Sequence, residues 1–305
     1  MLEVRRLRLL RELSLRGTIA ATAKACSLTP SAVSQQLNIL EREVRTPLLI
    51  RDGSRLVLTA AAHVLVEHTE RILADLEQAQ AAVAGHSSGV HGVARIAAFP
   101  SAAGALVAPA ITRCRDKHPD LRAQLSEMEP PEAIAGVRAG HVDVALIYEY
   151  NLLAGTGSPG VELVELVAEP LYAALPSDGL PAEQATTLAA LSRYPWVAPE
   201  GDTALRRTIE NACELVGFQP RFDYTSDDYT VILALVGAGL GVTLIPRLAL
   251  ESLSADVRVL EVAEPELRRT VYAAVRAGSR ADPVIEAVLS ALAESADQLA
   301  DQPAM

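Results

Sequence analysis

The chain has 305 residues, 50% of them hydrophobic, and a formal net charge of −11. That length is generous for one domain and comfortable for two or three, with enough apolar residues for sizeable cores. The longest apolar stretch, Val231 to Ile245, contains three glycines and falls short of the ~20 residues that span a bilayer, which argues against a membrane protein. The first sixteen residues scatter arginines through their apolar positions, unlike a signal peptide, so the expected compartment is the cytoplasm. Cys26, Cys114 and Cys213 are widely separated and read as reduced core or near-core thiols.

Residues 17 to 41 predict two helices joined by a tight turn. The first, about Ile19 to Cys26, is rich in alanine, and small side chains let a neighbouring helix pack closely. Thr29 suits an N-cap and Pro30 the first helical position, where its missing N–H costs nothing. Val33, Leu37, Leu40 and Val44 recur at the spacing of one buried helical face. Ser31, Ser34, Gln35 and Asn38 fall on another face, with side chains able to hydrogen-bond base edges or phosphates. Such a helix-turn-helix places the start of its second helix in the major groove. The alternative is an ordinary helical hairpin whose polar residues face water.

The next segment favours DNA. Arg51-Asp52-Gly53-Ser54-Arg55 forms a turn with two arginines, followed by the strand-like run Leu56 to Thr59. That is the form of a wing whose arginines lie on the phosphate backbone. Residues 1–59 hold ten basic against five acidic side chains, and the rest of the chain seventeen against thirty-three. A basic N-terminal fifth on an acidic protein fits local phosphate binding, which the total charge conceals.

The run Ala32-Val33-Ser34-Gln35-Gln36-Leu37 with Leu40-Glu41, then Pro47-Leu48-Leu49, Arg51 and Leu58-Thr59, resembles the LysR-type transcriptional regulators. The resemblance covers nearly the whole chain. It departs from the family's usual glycines at Arg45, which closes the recognition helix, and at Ala62. A left-handed Arg45 would cost roughly 1 kcal/mol relative to glycine.

One long helix is expected from about Ala60 to Ala84. Leu65, Thr69, Ile72, Leu76, Ala79 and Val83 are spaced 4, 3, 4, 3 and 4 residues apart, as in a coiled-coil seam. A helix of that length reaches about 40 Å, beyond the small N-terminal domain. A partner helix from a second subunit is the natural cover, and the resemblance implies such a paired linker. The other reading has the stripe packing on its own chain. Gly85-His86-Ser87-Ser88-Gly89-Val90-His91-Gly92 then reads as a hinge. Its two histidines lack further ligands nearby, so no metal is expected.

From residue 93 the pattern alternates strands and helices, as in an α/β domain with largely parallel sheets. Strands are expected at residues 94–99, 121–126, 142–148, 161–167, 172–175, 196–198, 221–225, 241–245 and 270–275. Helices are expected at 103–117, 131–139, 203–216, 228–238 and 282–299. Two such lobes resemble the periplasmic-binding-protein-like effector domain of the same family. Its markers include Pro109, His118-Pro119, Gly140 with Asp143, and Ala234-Leu235-Val236 leading to the glycine-rich run and Pro246. The run Gly237-x-Gly239-x-Gly241 has its helix before it and its strand after it, the reverse of a dinucleotide site, so it reads as a structural turn. No catalytic constellation is evident, and neither enzyme activity nor a cofactor is expected.

A binding cleft is expected. In open α/β sheets ligands bind beyond the carboxyl ends of strands, which face the space between two lobes. Ser101 and Ala102 follow the first strand and start a helix, and Asp202-Thr203 stand in the matching place on the second lobe. In the resembled family both segments border the effector pocket. Met128, Tyr148, Glu149, Thr225 and Asp227 are further candidates at strand ends. Glu149 or Asp227 in the pocket would favour an amine on the effector. The alternative makes Ser101, Asp202 and Thr203 helix caps only.

The resulting reading has three parts: a winged helix-turn-helix DNA-binding domain at 1–59, a dimerising linker helix and hinge at 60–92, and a two-lobed effector domain at 93–305. The expected protein is a sequence-specific transcriptional regulator, a homodimer or homotetramer on double-stranded DNA. Thr29, Ser31, Ser34, Gln35, Asn38, Arg51 and Arg55 are the expected DNA-binding residues. The effector is a small molecule such as an amino acid or organic acid, and RNA polymerase is a further candidate partner. The competing readings are a small-molecule binding protein, or an α/β enzyme, with an accessory N-terminal domain.

Overall fold

In the computed structural model, residues 2–52, 55–84, 90–155, 157–177 and 185–300 are described. Three helices open the chain: α1 (Val4–Arg16), α2 (Ile19–Ala25) and α3 (Pro30–Val44). Leu7, Leu10 and Leu13 of α1 meet Ala23, Val33, Leu37 and Leu40 in one core, which also takes Leu48. The periodic apolar residues of α3 are thus its buried face. Helix α3 ends at Arg45, which adopts the left-handed conformation with φ 54° and ψ 31° where glycine carries no steric cost. Strands β1 (Leu49–Asp52) and β2 (Arg55–Leu58) pair antiparallel, with Asp52 opposite Arg55. The turn residues 53 and 54 lie outside the described residues.

Helix α4 (Ala60–Ala84) leaves this head. The expected seam divides along its length. Val66, Thr69 and Leu73 are buried, and Leu65 and Ile72 pack against the N-terminal core. The near half of the seam is therefore covered by its own chain, the second of the two readings of the stripe, rather than by a partner helix. Only farther along is the seam open, with Leu76 at 40% exposure and Ala79 also exposed. The Val83 side chain and hinge residues 85–89 lie outside the described residues.

The remaining chain forms two lobes. Strand β3 (Gly92–Ala98) is followed by α5 (Pro100–Ala102), a π-helical turn (Ala103–Val107) and α6 (Ala108–Lys117). Then come β4 (Leu121–Glu127), α7 (Pro130–Ala139), β5 (Val144–Tyr150) and β6 (Val161–Pro176). After β7 (Ala185–Thr186) follow β8 (Trp196–Ala198), α8 (Ala204–Leu215), β9 (Phe222–Thr225), α9 (Tyr229–Gly237) and β10 (Thr243–Pro246). The chain ends with β11 (Val257–Val262), β12 (Arg268–Arg276) and α10 (Pro283–Ala300).

The main sheet runs β4-β3-β5-β12-β6-β11-β7, with β10 also on β6. It is mixed: β3 pairs parallel with β4 and β5, whereas β12 is antiparallel to both β5 and β6. The two strands expected at 161–167 and 172–175 are one strand of 16 residues. Its first half pairs with β12 in lobe 1, and its second half with β10 and β11 in lobe 2. Glu169 and Pro170 interrupt the apolar run just where it passes between lobes. In lobe 2, β8 and β9 pair in parallel and Trp196 bridges to Val242 beside β10.

The glycine-rich run is a helix-to-strand turn. Gly239 has φ +76°, and a Cβ on Gly241 would lie 2.8 Å from the Pro195 carbonyl oxygen, so that approach needs glycine. Helix α10 returns to lobe 1 and packs on α6, where Lys117 meets Glu294 at 2.6 Å and Arg113 donates to Ser295 at 2.7 Å. No helix among the described residues is long and apolar enough to cross a membrane.

Candidate nucleic-acid interface and binding cleft

The α2–α3 turn is pinned by two threonine caps. Thr18 accepts from the Ala21 N–H and Thr29 from the Ala32 N–H, both at 3.2 Å. The Thr29 and Ser31 hydroxyls are 3.0 Å apart. Ser31, Gln35 and Asn38 are exposed along α3, and Ser34 is half-buried beside them. Gln36, one position on, turns inward and accepts from Arg6 Nε at 3.1 Å. Glu41 Oε1 accepts from the Leu48 and Leu49 N–H groups at 2.8 and 3.0 Å, tying the start of the wing to α3. The side chains of Arg51 and Arg55 lie outside the described residues, although their backbones flank the wing turn.

A second polar junction joins the head to lobe 1. Glu70 of α4 is buried and accepts from Arg11 Nε of α1 at 2.9 Å and from Arg138 of α7 at 3.5 Å. Gly160 closes against it, since a Cβ there would lie 2.9 Å from Glu70 Oε2.

Between the lobes lies a cavity of about 760 Å³. Phe99, Ser101 and Tyr148 line it from lobe 1, and Thr203, Asp227 and Tyr229 from lobe 2. At its base Arg269, on β12, faces its strand partner Glu169 on β6. Both side chains are 1% exposed, and Arg269 Nε and Nη2 each lie 2.6 Å from Glu169 Oε1. Arg269 also donates to Ser101 Oγ at 3.2 Å, and Glu169 Oε2 accepts from the Leu248 N–H at 2.7 Å.

The guanidinium sits 5.0 Å from the Phe99 ring centroid and 5.4 Å from that of Tyr148. Burial by itself lowers the Arg269 pKa, but the neighbouring Glu169 carboxylate more than offsets it, so the net direction is upward. Burial likewise pushes the Tyr148 and Tyr229 hydroxyls up, so they stay protonated and can donate. Tyr148 donates to Glu129 at 2.9 Å.

Ser101, Tyr148, Thr203 and Asp227 thus come together at one cavity. The other expected residues do not. Ala102 is one helical step past Ser101 and is wholly buried in the lobe 1 core with Leu106. Met128 packs behind the sheet near Ala133 and Val137, while its neighbours Glu127 and Glu129 line the cavity. Glu149 alternates away from Tyr148 and lies against Gly155. Asp202 points to solvent and pairs with Arg207 at 3.6 Å, and Thr225 is exposed at the end of β9.

Thr203 also caps α8, accepting from the Arg206 N–H at 3.4 Å. The sequence reading missed Arg269, Glu169, Phe99, Glu127, Glu129, Asp228 and Tyr229. A charge at the head of an apolar strand was the only local sign of Arg269.

Residues 4–63 match the bacterial regulatory helix-turn-helix protein, lysR family, and residues 87–297 match the LysR substrate binding domain. The nitrogen assimilation regulatory protein nac of Klebsiella aerogenes is 27% identical over 275 residues, covering 89% of this chain and 88% of that one. The transcriptional dual regulator GltC of Bacillus subtilis is 26% identical over 275 residues, covering 88% and 89%.

A full-length OxyR variant from Pseudomonas aeruginosa superposes with a TM-score of 0.66 at 20% identity, covering 97% of this chain and 95% of that one. Full-length CbnR crystallised with its target DNA gives 0.57 at 21% identity, covering 97% and 100%. At such identities the structural likeness speaks for the fold.

Proposed function

Since the chain belongs to the LysR family and is a DNA-binding transcriptional regulator with an effector-binding domain, we propose that a small organic molecule held between its lobes alters how a homodimer or homotetramer sits on double-stranded DNA. We assign residues 1–59 to DNA binding, 60–92 to the linker and hinge, and 93–305 to effector binding. Ser31, Ser34, Gln35 and Asn38 read base edges or phosphates from α3, with Thr29 at its start, while Arg51 and Arg55 hold the phosphate backbone. The effector is an amino acid or organic acid, RNA polymerase is the partner the DNA-bound form addresses, and the setting is the bacterial cytoplasm.

The observation that carries the effector reading is the cavity bounded by Ser101 on one lobe and Thr203 on the other. A ligand touching both lobes binds one lobe arrangement better than another, and that difference shifts the population of subunit placements. DNA recovered from the genome with the purified protein supplies the operator, and its neighbouring genes suggest metabolites to test. Ser101→Phe sets a ring into the cavity beside Arg269, so calorimetry should show that metabolite binding is lost. Full-strength binding by the variant would put the pocket elsewhere and leave Ser101 as a helix-start residue.

A further inference from the structure

We propose that the cleft is selective for an effector bearing an ammonium group, taking amino acids or amines in preference to organic acids of the same shape. The inference rests on reading this cavity as the effector site. Its carboxylates come from both sides: Glu127 and Glu129 from lobe 1, Asp227 and Asp228 from lobe 2. Among the described lining residues the only guanidinium or ammonium group is that of Arg269.

Arg269 is not available to a ligand carboxylate. It is 1% exposed and held by Glu169, equally buried, at 2.6 Å. An incoming acid would have to compete with a buried partner already in place, and so would leave one carboxylate without a cationic partner. The pair is close to neutral as seen from the cavity.

The four lining acids are not neutralised in this way. Glu129 takes the Tyr148 hydroxyl, and Asp228 Oδ1 caps α9 by accepting from the Thr230 N–H at 2.7 Å. Neither partner is a cation. The side chains of Glu127 and Asp227 have no hydrogen-bond or ion-pair partner among the described residues.

Like charges on facing lobes oppose closure, and an ammonium group set between them removes that opposition. The same group thus supplies both recognition and the drive to close. Phe99, Tyr148 and Tyr229 give an apolar, ring-lined wall for the rest of the molecule.

The test uses the full-length protein and matched compounds. Each L-amino acid is titrated beside the hydroxy acid that differs only in carrying hydroxyl for ammonium, and beside the amine lacking the carboxylate. Thermal shift finds binders and calorimetry ranks them. At least one amine-bearing compound should bind, with its hydroxy-acid counterpart weaker by about tenfold or more.

Glu127→Gln with Asp227→Asn, both at exposed positions, should weaken the amine by a similar factor and narrow its advantage over the hydroxy acid. Hydroxy acids binding as tightly as amino acids, in a manner abolished by Ser101→Phe, would overturn the charge selectivity and leave the effector cleft standing. Binding that survives Ser101→Phe would overturn the cleft itself. Failure of every amine-bearing compound to bind also overturns the proposal.

Discussion

Arg269 and Glu169 lie opposite one another on neighbouring strands, 100 residues apart in sequence, with two of the guanidinium nitrogens, Nε and Nη2, 2.6 Å from a single carboxylate oxygen. Both are buried at the point where β6 passes from one lobe to the other. Removing one partner leaves an uncompensated charge in the interior. Arg269→Met should therefore cost about 3–5 kcal/mol of stability, and Arg269→Met with Glu169→Met should recover a good part of it. Urea unfolding of the full chain measures both; a loss below about 1 kcal/mol in the single variant would mean the pair is not held as described.

Base reading and phosphate binding should separate by residue. Gln35 is exposed near the start of α3, so Gln35→Ala should relax base preference at one position per half-site, at about 1–3 kcal/mol if its amide makes a bidentate contact. Arg55→Ala should weaken binding to every sequence and lower the salt slope by roughly one unit. Selection from a randomised DNA pool, repeated at several salt concentrations, distinguishes the two patterns. An unchanged preference with Gln35→Ala would remove that residue from the reading set.

Assembly should depend on the far half of α4. Leu76 is 40% exposed, so Leu76→Asp leaves the fold of a single chain intact but sets a carboxylate where a partner helix would cover it. Light scattering should report loss of the linker-mediated dimer, while circular dichroism at low temperature keeps the spectrum of the folded chain. Ile72 is a poorer probe, because it already packs on the N-terminal core of its own chain. An unaltered mass for Leu76→Asp would assign dimerisation to another surface.

Arg45 at φ 54° carries a steric cost that glycine does not. Arg45→Gly should raise the stability of the N-terminal domain by up to about 1 kcal/mol, less the added freedom of the unfolded chain. A lower melting temperature would show that the Arg45 side chain contributes more than its backbone costs.

The head was legible because its signals are local. A cap at Thr29, a proline after it and apolar residues at helical spacing suffice to place α3 and its buried face. Ser101, Thr203 and Asp227 were within reach for the same reason: each stands where a strand gives way to a helix. Side-chain phase within those segments was harder, as Glu149 shows. One residue along a strand reverses the face, and strand ends alone do not fix it.

The Arg269–Glu169 pair had no local signature, since only the pairing of β12 with β6 brings the two together. The linker shows a different limit. Periodicity marks which stripe of α4 is apolar but not what covers it, and Val66 and Leu73 turned out to be buried within the one chain.

Pro170 and Arg268 are register partners on adjacent strands, so residues 171–267 leave and re-enter lobe 1 through a single doorway. Lobe 2 is in this sense a long insertion at a hairpin tip, and the strand that follows it, β12, lies between β5 and β6. Cutting the chain short anywhere within lobe 2 would strip lobe 1 of a central strand and of α10 as well. Excising 171–267 and joining the two strand ends with a two-residue hairpin turn instead keeps every strand of lobe 1. The result is a minimal scaffold that holds Ser101 and Tyr148 but lacks the opposing wall.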